Sequence, residues 1–220
     1  MTRVKSFSGG VDVQVTEAVA WFQAYADRLQ QEKEHLTELD SRIGDGDHGA
    51  NMARGWKAVK EELESFDQGL SECFMQVSKT LIAKVGGASG PLYGTAFLRM
   101  SMKLKGEASV SPGDWAELIQ AGAEGIRQRG KVSGGEKTMY DVWAPLVDAA
   151  RDGADLEETV LLRSLAETAR EKAEATREMK ATKGRASYLG ERSIGHLDPG
   201  AVSTALLFEV LCDTLSREGM

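Results

Sequence analysis

Apolar residues return at every third or fourth position along nearly the whole chain, a period that fits helices and not sheets. Val15, Val19, Phe22, Ala26 and Leu29 form one stripe, and Met52, Trp56, Val59 and Leu63 form a second. Val77 and Leu81 lead into a break at GGASG (86–90), after which Tyr93, Phe97, Met100 and Leu104 resume the pattern. The one run of period two, Val11, Val13 and Val15, is too short to build a sheet. The chain reads as all-α, with about eight helices. Each has one apolar face, so they must pack around a shared interior.

Helix starts are well marked. Ser111-Pro112-Gly113-Asp114 supplies an N-cap, a proline at the first helical position and an acid three residues on. Asp155 with Glu158 repeats that logic before the Ala- and Glu-rich segment 156–181, and Asp198-Pro199 opens a last helix carrying Val202, Leu206 and Val210. Pro145 either kinks a helix begun near Thr138 or delays its start. His35 falls on the first helix, where it reads as inert.

With 220 residues, 41% apolar and 28% charged, the chain has the composition of one globular domain spanning 1–220. Residues 1–12 read as a flexible N-terminal segment. The net charge of −7 argues against nucleic acid or an anionic membrane as the partner. No run approaches ~18 apolar residues and no signal peptide is evident, so a soluble, cytoplasmic protein is expected. Cys73 and Cys212 fit no metal spacing and read as buried small hydrophobes.

The chemistry sits in the joints. SRIGDGDHGANMARG (41–55) places Asp45, Asp47, His48 and Asn51 among three glycines, with Asp40 just upstream. A lone Asp-Gly-Asp is ordinarily a solvated turn, but here a histidine, an asparagine and a helix follow at once. Three carboxylates supply hard oxygen ligands, which suit magnesium or manganese better than zinc. An EF-hand is excluded, because Ala50 stands where the loop glycine belongs and Trp56 where the bidentate acid belongs. GGASGP lets backbone amides and the Ser89 hydroxyl approach an anion at a helix start. By itself that turn is weak evidence. No GxxxxGK[ST] is present, so an ordinary P-loop is excluded.

Two further joints, RGKVSGGEKTM (129–139) and KGRASYLGERSIGHLDPG (183–200), are long and glycine-rich. DPGA (198–201) alone reads as a plain N-cap. Arg185 and Arg192 are candidate phosphate contacts, and His196 is a loop histidine. If helices alternate in direction, alternate joints fall at one end and these loops meet there. Carboxylates for metal with glycine turns for phosphate point to a nucleotide held through bridging cations.

Taken together, LDSRIGDGDHGANMARG, GGASGPLYGT, RGKVSGGEKTMYDVW and KGRASYLGERSIGHLDPGA resemble the nucleotide-binding L subunits of dihydroxyacetone kinases, in order and spacing. The resemblance implies an eight-helix antiparallel barrel with ADP or ATP at one rim. It implies that Asp40, Asp45 and Asp47 hold two magnesium ions on the phosphates. His48, Gly49, Ala50, Asn51, Ala88 and Ser89 match phosphate-side positions, and Gly130, Met139, Arg185, Asp198, Pro199 and Gly200 match positions around the rest of the nucleotide. Departures from the family pattern lie in the loop at 132–136 and in the N-terminal dozen residues.

The resemblance also implies phosphoryl transfer to dihydroxyacetone held covalently by a histidine of a separate K subunit, so no catalytic residue is assigned to this chain. In one branch of the family ATP is consumed and exchanged. In the other, bound ADP is rephosphorylated by a phosphohistidine M subunit of the phosphotransferase system, and this chain resembles that branch more. A homodimer is left open. Two alternatives stand: the nucleotide domain of a fatty-acid or other ketose kinase, against which the short chain argues, and a regulatory subunit that binds a partner when loaded with nucleotide.

Overall fold

The computed structural model describes residues 12–217, and the segment 1–11, with most of the expected N-terminal tail, lies outside the described residues. Nine α-helices are present among them: α1 (Val15–Gln31), α2 (Lys33–Ile43), α3 (His48–Glu62), α4 (Leu70–Lys84), α5 (Ser89–Lys103), α6 (Trp115–Gly130), α7 (Tyr140–Asp152), α8 (Glu158–Ala175) and α9 (Pro199–Arg217). Helices α3 to α9 each pack against the next, and α1 lies between α3 and α9, closing an antiparallel ring of eight. The ninth helix, α2, is set off from the ring and packs on α3 and α9. No described helix is long and apolar enough to cross a membrane.

The ring closes because each stripe turns inward. Trp21, Phe22, Tyr25, Trp56, Phe74 and Phe97 are all fully buried and interlock, half of the pairs edge to face and half tilted, with centroids 4.5 to 6.3 Å apart. Trp143 and Phe208 fill the opposite side of the interior at 5.4 Å. Cys73 is buried as expected, whereas Cys212 is only half-buried.

Several boundaries differ from those the sequence suggests. The first helical stretch breaks at Glu32, so His35 belongs to α2 and not to the first helix. Pro145 lies inside α7, which begins at Tyr140. The Ser111–Asp114 box forms, but on a short 3₁₀ turn (Pro112–Asp114) that runs into α6. Asp155 caps nothing: α8 starts at Glu158 behind Glu157, with no side-chain cap, and ends at Ala175. Val13 makes a single antiparallel bridge to Val110, and Val15 already belongs to α1.

Alternate joints gather at one end of the ring. Arg54 on α3 donates to the Lys84 carbonyl, Ser89 meets His48, Arg185 meets Asp45, and Lys137 donates to the His196 carbonyl. The joints after α2, α4, α6 and α8 therefore share one rim.

At Glu158 on α8 a carboxyl is buried with one oxygen unpartnered among the described residues. Burial, reinforced by Asp12 and Glu17, raises its pKa from 4.5 to about 7. A raised acid binds its proton more tightly folded than unfolded, so stability falls as pH rises through that window. Glu158→Gln is expected to stabilise the protein by about 1–2 kcal/mol near pH ~8 and by nothing near pH ~4. Thermal melts at the two pH values check it; an equal gain at both would show that ionisation is not the cause.

Candidate functional site

Asp40 lies near the C-terminal end of α2, one turn before the chain leaves the helix, and is buried. Its Oδ2 accepts the backbone N–H groups of Asp47 at 2.8 Å and His48 at 3.1 Å. Those two bonds curl the Asp45-Gly46-Asp47 turn back over the helix end, with Gly46 in the left-handed region at φ 74°. Gly49 lets the start of α3 press on α2, where a Cβ would fall on the Lys33 carbonyl and the Thr37 side chain.

The result brings Asp40, Asp45 and Asp47 together, with one carboxylate oxygen of each within 4.8 Å of the others. Asp45 and Asp47 are exposed, so the three oxygens open to the cleft. An all-oxygen carboxylate set that can close on a single point fits magnesium or manganese. Arg185 Nη2 stands 3.0 Å from Asp45 Oδ2, partly offsetting the negative charge.

His48 opens α3 and is buried behind the aspartates. Its Nδ1 is 3.1 Å from Ser89 Oγ and its Nε2 is 3.0 Å from Ser203 Oγ. One ring nitrogen donates and the other accepts. Burial holds the imidazole pKa down to about 4 against the pull of Asp40, so it is neutral near pH ~7. Ser203 continues into a buried hydroxyl chain through Tyr93, 2.9 Å away, to Thr204. Ser89 is the first residue of α5, whose opening amides have no carbonyl to accept them within the helix. Asn51 is buried one turn into α3, takes a bond from Arg54 at 2.7 Å and borders Gly86. Gly49 and Ala50 lie in the same first turn.

Beside this polar end is a cavity of about 430 Å³, lined by Ala88, Leu92, Ile126, Gly130, Met139 and Gly184 among others. Its walls are mostly apolar, the surface a flat aromatic base would meet. Asp198 caps α9 by accepting the Ala201 N–H at 2.7 Å. Burial, with Asp141 and Asp40 adding to it and the Ala201 bond and Lys137 opposing, raises its carboxyl to about 7. Gly200 lies close enough to Asp198 and Met139 that a Cβ would touch both, which joins Asp198, Pro199 and Gly200 to the cavity's edge.

Every residue singled out in the four joints is therefore at this rim, with two qualifications. Arg192 is exposed on the turn after Arg185 and meets none of the other site residues. His196 lines a separate groove with His35, Arg42 and Arg177, and its carbonyl accepts from Lys137. Sequence reasoning missed Lys137, Asp141 and the Tyr93–Ser203–Thr204 hydroxyls. The helical spacing of Ser203 and Thr204 after Asp198 was the available signal for the last group.

Comparison with known proteins identifies the family and the fold. Residues 42–213 match the DAK2 domain family. The chain is 50% identical over 198 residues, covering 90% of it and 95% of the relative, to the ADP-binding subunit DhaL of PEP-dependent dihydroxyacetone kinase 1 from Listeria innocua. It is 42% identical to the corresponding Escherichia coli K12 subunit, covering 89% of this chain and 95% of that one. The crystal structure of the dihydroxyacetone kinase from C. freundii in complex with AMP-PNP and Mg2+ superposes with a TM-score of 0.73 over 97% of this chain and 37% of that one. At 22% identity that likeness speaks for the fold alone. The chain belongs to the DAK2 domain family, among the DhaL subunits of dihydroxyacetone kinases.

Proposed function

We propose that this chain is the nucleotide-carrying half of a cytoplasmic dihydroxyacetone kinase and presents a phosphoryl group to dihydroxyacetone held on a separate K subunit. The observation that carries the reading is one rim where three convergent carboxylates, a helix start with a histidine-held serine, and an apolar cavity adjoin. The names of its DhaL relatives agree with it.

Asp40, Asp45 and Asp47 would hold two magnesium ions, which supply charge neutralisation for phosphoryl transfer when bound. Asp40 is fixed for that task by its two backbone bonds. Ser89 and the opening amides of α5 offer donors to phosphate oxygens, and neutral His48 orients the serine without adding charge. Ala88, Gly130 and Met139 receive the base, and Arg185 sits where it can leave Asp45 for phosphate. Positioning and electrostatics of this kind account for most of the rate in phosphoryl transfer.

In the same reading ADP or ATP is the nucleotide, and a phosphohistidine-carrying M subunit renews it in place; the PEP- and PTS-dependence in the names of its relatives supports a phosphotransferase donor. The isolated, magnesium-replete chain is expected not to phosphorylate dihydroxyacetone from ATP, and to do so once a K subunit and a phosphoryl donor are supplied. A coupled assay decides it. Steady turnover by the chain alone at ~1–100 per second would end the two-subunit reading. ADP that survives desalting of the purified chain would favour the M-subunit donor.

A further inference from the structure

Lys137 is a lysine where lysines are seldom found. It sits in the joint between α6 and α7 with 1% of its surface exposed, on left-handed backbone at φ 61°. An ammonium has three protons to donate. Here they meet three backbone carbonyls, of Thr176 at 2.6 Å, Met179 at 3.1 Å and His196 at 2.5 Å. All three carbonyls belong to the long connection between α8 and α9. Glu136 adds a backbone tie, its carbonyl accepting the Thr182 N–H at 3.3 Å.

The two connections that Lys137 joins also form one wall of the apolar cavity, through Thr138 and Met139 from the first and Lys183 and Gly184 from the second. Asp40, Asp45, Asp47, His48 and Ser89 come from the other two joints, and none of them bonds to Lys137; Arg185, the one phosphate-side candidate on the clamped α8–α9 connection, is held separately by its ion pair with Asp45. With every proton engaged by main chain, the ammonium has none left for a substrate.

We propose that Lys137 is a positioning residue that clamps the α6–α7 and α8–α9 connections into the base-side wall of the nucleotide pocket, leaving the aspartate cluster and the start of α5 untouched. The proposal rests on the nucleotide reading above. A clamp built from one side chain and three carbonyls ties the α6–α7 loop to a connection that has only short 3₁₀ turns, Thr176–Glu178 and Arg185–Ser193, and no α-helix of its own. Removing it leaves three carbonyls without that donor and lets the loops separate.

The test compares two ligands that share a diphosphate but not a base. In the full-length chain, Lys137→Met is expected to weaken binding of Mg-ADP by ~10–100-fold, the loss that follows from misplacing a wall by about an ångström. Mg-pyrophosphate should bind within about twofold of the parent, and far-ultraviolet circular dichroism should show the helices intact. A role in global stability alone would weaken both ligands together. If Lys137→Met does not fold, Lys137→Gln keeps two donors, and an intermediate loss confined to ADP is expected. Unchanged ADP affinity, or equal loss of both ligands in the variant that folds, overturns the clamp. A parent protein that binds neither ligand overturns the nucleotide reading itself, and the clamp's role in binding with it.

Discussion

Asp45→Asn/Asp47→Asn is expected to erase the joint stabilisation of the protein by magnesium and ADP. Asp40, Asp45 and Asp47 bring three negative charges to one opening, and ADP adds roughly three more near neutral pH, given about −2 on a terminal phosphate. Six like charges repel unless cations intervene, and two divalent ions offset about four of them. Ligand at ~100 times its dissociation constant adds about 2.7 kcal/mol to the folded state. At roughly 2–4 °C per kcal/mol for a domain of this size, the parent melting temperature should rise by about 5–10 °C with both present. ADP in excess EDTA should give little.

The double variant loses two of three carboxylates and with them the rise. Its apo melting temperature should hold or increase, because Arg185 offsets only part of the repulsion it removes. Differential scanning calorimetry with magnesium, ADP, both and neither checks this. A full ADP-dependent shift in the variant would make the Asp-Gly-Asp turn a solvated loop and place the metal elsewhere.

A second large effect is expected from a single methyl group. Gly49 stands where α3 presses on α2, and its missing side chain faces the Lys33 carbonyl, the Thr37 hydroxyl and the Thr37 N–H. Two of those three are main chain and cannot rotate away. Gly49→Ala must therefore push the start of α3 off α2, at a cost of about 1–3 kcal/mol for overpacking. Asp47 and His48 precede the contact directly, and their amides are the two that hold Asp40. Displacing them spreads the carboxylates and turns His48 from Ser89. Mg-ADP affinity should fall by ~10²-fold, the scale of an ångström-sized misplacement. Calorimetric titration checks it, and affinity within threefold of the parent would mean that the α2–α3 contact does not set the metal geometry.

The ring and most of its rim were legible in the sequence for different reasons. Stripes such as Val15 to Leu29 and Met52 to Leu63 announce helices because apolar burial dominates their energetics. Asp198 reads correctly as a cap because Asp-Pro satisfies two helix-start requirements at once. The failures have local causes. Glu32 breaks a helix with neither glycine nor proline, so the α1–α2 bend rests on tertiary packing of α2 against α3 and α9. Asp155 and Glu158 had capping spacing, but Glu158 is drawn into the interior and the helix starts there instead.

The same contrast holds within the site. Asp45, Asp47 and Ser89 stand in glycine-rich turns whose composition advertises function. Lys137 and Asp141 do not, because their partners are backbone groups: three carbonyls for Lys137, and the Thr138 N–H at 2.7 Å, with the Gly135 N–H, for Asp141. A side chain that bonds main chain leaves no complementary residue to read. Arg192 shows the converse, a conspicuous arginine that reaches none of the site's groups.

Because alternate joints carry all of this chemistry, the ring has a working end and a spare one. The α5–α6 connection lies at the spare end. It includes Gly106 and Gly113, where an added side chain would meet open space, and Lys105 and Glu107, which are exposed. Length and composition can drift there without disturbing a carboxylate or a phosphate donor, whereas a one-residue insertion between Asp40 and His48 would uncouple both. The fold thus divides its own sequence into a stretch open to fusion and insertion and a stretch whose spacing is held, and an engineer wishing to tether or label the subunit has the former as a handle.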